Sequence, residues 1–150
     1  MPTAADALAR KAHRATHPDD LVVVSPDATV LEAAKVMNAR RIGALPVVNA
    51  QGTLVGMFTE RDVLTRVVAV EKPPQQTLVR DVMTTPVFAC PPQTPLTEVR
   101  QVMREKRIRH VPIVDDGRLL GLLSIGDLNA EDARQMTQTI TYLEQYMYTA

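Results

Sequence analysis

Thr59 and Asp62 stand three residues apart in GMFTERDV (56–63), and Ser124 and Asp127 repeat the arrangement in GLLSIGDL (121–128). A hydroxyl followed at this spacing by a carboxylate has two chemical uses. At a helix start, both side chains accept from orphan amide N–H groups and complement the helix dipole, which contributes roughly 1 kcal/mol. In a binding site, the carboxylate offers two acceptor oxygens to a vicinal diol, and the amides of the same helix end suit a phosphate. The two uses share one geometry and can coexist.

The two copies differ at several positions. Between hydroxyl and acid the first has Glu60-Arg61 and the second Ile125-Gly126; leading into the preceding hairpin, the first has Gly43-Ala44 and the second Arg109-His110. Small residues let a flat base approach the backbone, whereas Arg109, and His110 when protonated, favour an oxyanion. Unequal sites are therefore expected, with an anionic group preferring Arg109, His110 and Arg61. The plainer alternative makes Arg109 a solvated charge at a strand end and His110 a hydrogen-bonded, half-buried histidine.

These residues must be positioned by the elements around them, and the elements come in duplicate. Residues 25–63 align with 91–128 at an offset of 66, which falls to 65 after one residue is lost in a turn. Pro26/Pro92, Glu32/Glu98, Met37/Met103, Arg41/Arg107, Pro46/Pro112, Gly56/Gly121 and Asp62/Asp127 are among the identical pairs. One register shared by turn, apolar and acidic positions implies two copies of a single supersecondary unit.

Within each copy, Val22–Val24 and Val87–Cys90 read as short strands halted by proline. Thr29-x-x-Glu32 has the form of a capping box, and Thr94 followed by Pro95 reads as an N-cap with proline at the first helical position. Val30, Ala33, Ala34 and Met37 recur at helical spacing, as do Leu96, Val99, Val102 and Met103. Hairpins follow, ALPVV-NAQG-TLVGMF and HVPIV-DDG-RLLGLL, and a second helix begins at Thr59 or Ser124.

The predicted fold class is α+β, with two β-α-β-β-α repeats packed sheet to sheet about a pseudo-twofold axis. Helices cover one face of each sheet, so the bare face needs a partner. The predicted organisation is a tail or short helix over 1–20, a first repeat over 21–70, a proline-stiffened linker over 71–77, a second repeat over 78–130 and an amphipathic helix over 131–150. LVRDVM (78–83) leads into the second copy. Met136, Ile140, Leu143 and Met147 form an apolar seam that packs either on its own domain or on a second copy of the chain.

Composition narrows the function classes. The 17 basic and 17 acidic residues balance and aromatics are 3% of the chain, so neither nucleic acid nor an anionic membrane is an expected partner. Cys90 is the only cysteine and reads as a small buried side chain, with no disulfide and no thiolate metal site. His13 and His17 lie four apart, but Pro18 disrupts the second position, and no metal site is expected. Neither a G-x-S-x-G elbow nor a Walker-type glycine loop is present, which argues against catalysis. Apolar runs are too short for a membrane span and the N-terminus lacks a signal-peptide core, so a soluble cytoplasmic protein is expected.

The LPVV and VPIV strands, the G-x-hydrophobic-T/S-x-x-D sequences and the DVM lead-in, in this order twice, resemble a tandem pair of CBS domains. This is the cystathionine-β-synthase-type repeat whose pair is called a Bateman module. The likeness covers roughly residues 20–130, and its specificity lies in the doubled order rather than in any single motif. One departure is DDLVVV (19–24), which stands where DVM is expected before the first copy.

The resemblance implies a non-catalytic regulatory or sensor module that binds AMP, ADP, ATP or S-adenosylmethionine in up to two clefts between the repeats, with no further cofactor required. It implies that Asp62 and Asp127 bond ribose hydroxyls, that Thr59 and Ser124 lie by the sugar or phosphate, and that the backbone of Gly43–Pro46 and Arg109–Pro112 meets the base or phosphate. The ligand-contacting residues so implied are Val24, Gly43, Ala44, Leu45, Pro46, Thr59, Arg61 and Asp62 of the first copy, and Cys90, Arg109, His110, Val111, Pro112, Ser124 and Asp127 of the second. The expected partners are an adenosyl small molecule, a second copy of the chain and a regulated protein encoded elsewhere. The alternative function is a structural dimerisation module whose pockets stay empty.

Overall fold

The same signals recur 65 or 66 residues apart, and the two halves of the chain accordingly build the same succession of elements. The structure, a computed structural model, describes residues 1–14 and 21–149, with side chains described for 1–12 and 21–147. His17, and the side chain of His13, lie outside the described residues.

Helix α1 (Ala4–Arg14) opens the chain. Helix α2 (Val30–Arg40) starts at the predicted capping box: Glu32 N donates to Thr29 Oγ1 at 3.1 Å, and Thr29 N donates to Glu32 Oε2 at 3.4 Å. It ends at Arg41, in the left-handed region at φ 54°. Strands β1 (Ala44–Val48) and β2 (Leu54–Thr59) form the first antiparallel hairpin, with Ala44 opposite Thr59. Helix α3 (Glu60–Val63) follows and passes into a π-helical turn, Leu64–Val68.

The second half begins with the short helix α4 (Val79–Val82), then α5 (Leu96–Lys106). Strands β3 (His110–Asp115) and β4 (Arg118–Ser124) pair antiparallel with His110 opposite Ser124. Helix α6 (Ile125–Thr149) runs unbroken, so the seam-bearing residues continue the helix that starts after Ser124. Two small antiparallel sheets and flanking helices make up the expected α+β class. Thr53 and Arg118 form a bridge between the two hairpins.

Two local expectations are corrected. The leading strands shrink to single parallel bridges, Val24 to Val47 and Cys90 to Ile113, because Pro26 and Pro91 supply no N–H to extend a ladder. Thr94 does not cap α5: the helix begins one residue later, with Pro95 at the N-cap position and no side-chain cap bond. Its first amide, Leu96 N, instead donates to Pro2 O at 3.0 Å.

That last bond belongs to a pattern which relocates the lead-in motif. In the first half, Val30 N donates to Thr77 O (2.8 Å) and Val79 N to Ala28 O (2.9 Å). In the second, Leu96 N donates to Pro2 O (3.0 Å) and Ala4 N to Thr94 O (2.8 Å). Residues 2–8 thus stand to the second half as 77–83 stand to the first, and Asp6-Ala7-Leu8 is the counterpart of Asp81-Val82-Met83. The missing DVM equivalent lies upstream of DDLVVV, not within it.

Packing follows the same exchange. Val79 and Val82, which sequence order attaches to the second copy, are buried with Val24, Val30, Leu45 and Phe58 of the first. Ala4 and Ala7 are buried with Val99, Val111 and Leu123 of the second. Gly56 and Gly121 are the equivalent points of closest approach. A Cβ at Gly56 would meet Met83 Sδ, and one at Gly121 would lie 2.7 Å from Leu8 Cδ2, so a side chain at either position would have to displace the residue that covers it.

Candidate functional site

Both T/S-x-x-D sequences form capping boxes, as their spacing predicts, but their carboxylates meet different fates. Asp62 Oδ2 accepts from Thr59 N (3.0 Å) and Thr59 Oγ1 (3.1 Å), while Asp62 N donates to Thr59 Oγ1 at 3.2 Å. Asp62 Oδ1 accepts from Thr84 Oγ1 at 2.9 Å and lies 3.7 Å from Arg66 Nε. Thr84 arrives because its backbone pairs with Met57 at the edge of β2. The residue is 4% exposed and both its oxygens are engaged within the protein.

Asp127 has a different neighbour. Its Oδ2 accepts from Ser124 N (2.8 Å), Ser124 Oγ (2.9 Å) and Lys11 Nζ (2.8 Å). Lys11 Nζ also donates to Leu122 O at 2.7 Å. The Asp127 side chain keeps 15% exposure. Burial opposes its ionisation, but the bonds from Lys11 and Ser124 outweigh that and hold its carboxyl below the usual range. The difference originates in the covering segments: past Met83 the chain turns into an edge bridge carrying Thr84, whereas past Leu8 it stays helical for another turn and carries Lys11.

The segments before each hairpin are tied to the following helix by equivalent bonds. Glu60 N donates to Gly43 O at 3.0 Å and Ile125 N to Arg109 O at 2.9 Å. A Cβ at Gly43 would fall 2.7 Å from Glu60 Oε1, so this glycine permits the contact.

A cleft of about 490 Å³ opens between the halves, in the size range of small-molecule sites. The first half contributes Leu21, Val22, Arg40, Arg41, Ile42, Gly43 and Ala44; the second contributes His110, Leu120, Gly121, Leu122 and Ser124; α1 adds Leu8, Lys11 and Ala12. Apolar walls and the small Gly43-Ala44 pair suit a flat ring, Ser124 and Asp127 suit hydroxyls, and Lys11, Arg40 and Arg41 suit an anion. His110 is half-buried; burial, and then the charge of Lys11, push its pKa below the ordinary histidine value, so the imidazole is neutral at neutral pH. It enters the cleft as a hydrogen-bonding group and not as a cation.

Of the residues singled out from sequence, the cleft brings together Gly43, Ala44, His110 and Ser124, with Asp127 joined to it through Ser124 and Lys11. The grouping crosses the copies: Gly43-Ala44 of the first faces Ser124 of the second. Val24, Leu45, Cys90 and Val111 are buried in the cores, and Pro46 and Pro112 turn their carbonyls to Val24 N and Cys90 N. Thr59 and Asp62 are bound to each other, and Asp62 also accepts from Thr84. Arg61 and Arg109 are exposed and do not line this cleft.

Sequence reasoning missed Lys11, Arg40 and Arg41. The identity of Arg41 with Arg107 in the repeat was a usable signal, since both occupy the left-handed cap at φ 54°. Lys11 carries no local signal. Among the described residues, no group of three or more His, Cys, Asp or Glu is placed to hold a metal ion, and no helix is long and apolar enough to cross a membrane.

Known proteins are similar to this chain in sequence and fold. The CBS domain family model matches residues 16–69 and 79–133. The CBS domain-containing protein YhcV of Bacillus subtilis is 41% identical over 108 residues, which is 72% of this chain and 76% of that protein. The CBS-domain containing protein ATU1752 from Agrobacterium tumefaciens superposes with a TM-score of 0.78 at 35% identity, covering 87% of this chain and 99% of that one. The CBS domain pair of protein MJ0100, in complex with 5′-methylthioadenosine and S-adenosyl-L-methionine, superposes with a TM-score of 0.68 at 26% identity, covering 76% of this chain and 90% of that one.

Proposed function

The chain belongs to the CBS-domain family, as a tandem pair, and from that premise we propose that it is a non-catalytic regulatory module which binds an adenosine-containing ligand between its repeats. The observation that carries this reading is the composition of the cleft, where Gly43 and Ala44 of one repeat face Ser124 of the other, with Asp127 bonded behind it. In this reading the adenine lies along Val22, Ile42, Gly43 and Ala44, and the ribose hydroxyls donate to Asp127. The adenosyl ligands of the MJ0100 pair support the ligand class. Asp62, with both oxygens engaged, is assigned a structural role, so one working site is proposed.

Ligand binding regulates only if affinity differs between two states of the module. Helix α1 is the element best placed to differ, because it walls the cleft and docks on the second repeat from the far end of the chain.

Thermal unfolding and calorimetric titration with AMP, ADP, ATP and S-adenosylmethionine test the proposal. A ligand specific to the native state adds roughly 2.7 kcal/mol at a hundred times its dissociation constant, and Asp127→Asn should remove most of that gain. The absence of any shift with all of these ligands rejects it.

A second reading, a dimerisation module with empty pockets, is favoured by the seam on α6. Met136, Ile140, Leu143 and Met147 are each at least half exposed at spacings of four, three and four. A second copy of the helix fits such a seam.

A further inference from the structure

The wall that α1 adds to the cleft carries a charge that neither repeat supplies. Lys11 lies one turn beyond Leu8, so packing Leu8 against Gly121 brings the lysine to the mouth of the site. Its ammonium uses two of three N–H donors, on Leu122 O and Asp127 Oδ2. Arg40 and Arg41, at the end of α2, line the same cleft. Among the described residues, the acids nearby are Asp127, already paired with Lys11, and Glu60, whose carboxylate lies beside Gly43.

Resting on the adenosyl reading, we infer that the cleft selects phosphorylated adenosine ligands over adenosine itself and over the sulfonium S-adenosylmethionine, with Lys11 as the specificity-determining residue. The third N–H of Lys11 meets a phosphate oxygen, while its bond to Asp127 keeps the carboxylate oriented toward the ribose diol. Arg41 supplies the further charge that a phosphate needs and a sulfonium opposes. The selectivity thus depends on a helix outside both repeats, and occupancy of the phosphate subsite bears directly on how α1 is held.

Titration of the full chain with adenosine, AMP, ATP and S-adenosylmethionine, at low and at physiological salt, tests this. AMP and ATP should bind at least about tenfold more tightly than the other two, a difference of ~1.4 kcal/mol, and the advantage should shrink as salt rises. Arg41→Gln should weaken nucleotide binding about tenfold while leaving adenosine within about twofold, and Lys11→Gln, which also frees Asp127, should weaken nucleotides about tenfold more than it weakens adenosine. Arg41 is exposed, so its variant keeps the test open should Lys11→Gln fold poorly. If adenosine or S-adenosylmethionine binds as tightly as AMP, or neither substitution changes nucleotide affinity, the inference falls and the adenosyl site stands. If none of the four binds, both fall together.

Discussion

Two aspartates in the same motif have become different residues. Asp62 accepts from Thr59 and Thr84 in a closed setting, and its removal leaves those donors unpaired. Asp62→Ala should therefore cost about 1–3 kcal/mol in urea denaturation. Asp127→Asn should instead change ligand affinity more than stability, and the reverse order of effects would contradict the roles assigned here. A third acid, Glu131, is 2% exposed and accepts from Arg10 Nε through both oxygens at 2.8 Å. The hydrogen bonding and charge of Arg10 hold its carboxyl below the ordinary value of 4.5. Its stabilisation is thus complete above the unfolded-state value and is lost as pH falls through the lower folded one. Urea midpoints taken at falling pH should drop more steeply below about pH 4.5 in the native chain than in Arg10→Met. The hydroxyl–carboxylate spacing was legible in the sequence, but the closure of one site by Thr84 was not, because that donor arrives from 22 residues away.

At the scale of elements, α1 carries the consequences. Gly121→Val would drive a side chain into Leu8, whose Cδ2 lies 2.7 Å from a Cβ at that position. The expected cost is roughly 1–3 kcal/mol, with faster amide exchange across residues 4–14 and weaker ligand binding as Lys11 moves off Asp127. Amide exchange unchanged in that segment would show that α1 is not held by this contact. Arg107 ends α5 in the left-handed region at φ 54°, a conformation that disfavours a Cβ. Arg107→Gly should raise stability by about 0.5–1 kcal/mol in urea denaturation. The capping box at Thr29, both hairpins and the repeat itself were readable because each signal lies within one turn or one strand pair. The short leading strands and the start of α5 were misread because proline terminates ladders and helices through donors it lacks, while the compensating carbonyl of Pro2 comes from the far end of the chain.

For the molecule as a whole, each half is completed by a segment that sequence order assigns elsewhere: 77–83 on the first half, 2–8 on the second. The halves are therefore coupled through the chain's own covering helices, and Lys11 joins that coupling to the cleft. Beyond Arg134, α6 exposes an apolar seam whose expected occupant is a second copy. A chain ending after Arg134 keeps Glu131 and its partners, so its fold should persist while sedimentation shows a smaller assembly than the full chain. An unchanged mass would leave the seam without a role in self-association.

Residue order alone specified the duplicated unit, its α+β class and the two hydroxyl–carboxylate pairs, since periodicity, caps and turns act over a few residues. Tertiary packing selected which pair borders an open cleft. Asp62 was closed by Thr84, whereas Asp127 was left at the cleft beside Lys11, a partner 116 residues away in the chain. No local pattern encodes that distinction: it arises when the covering segments dock, one continuing as an edge bridge and the other as a further turn of helix.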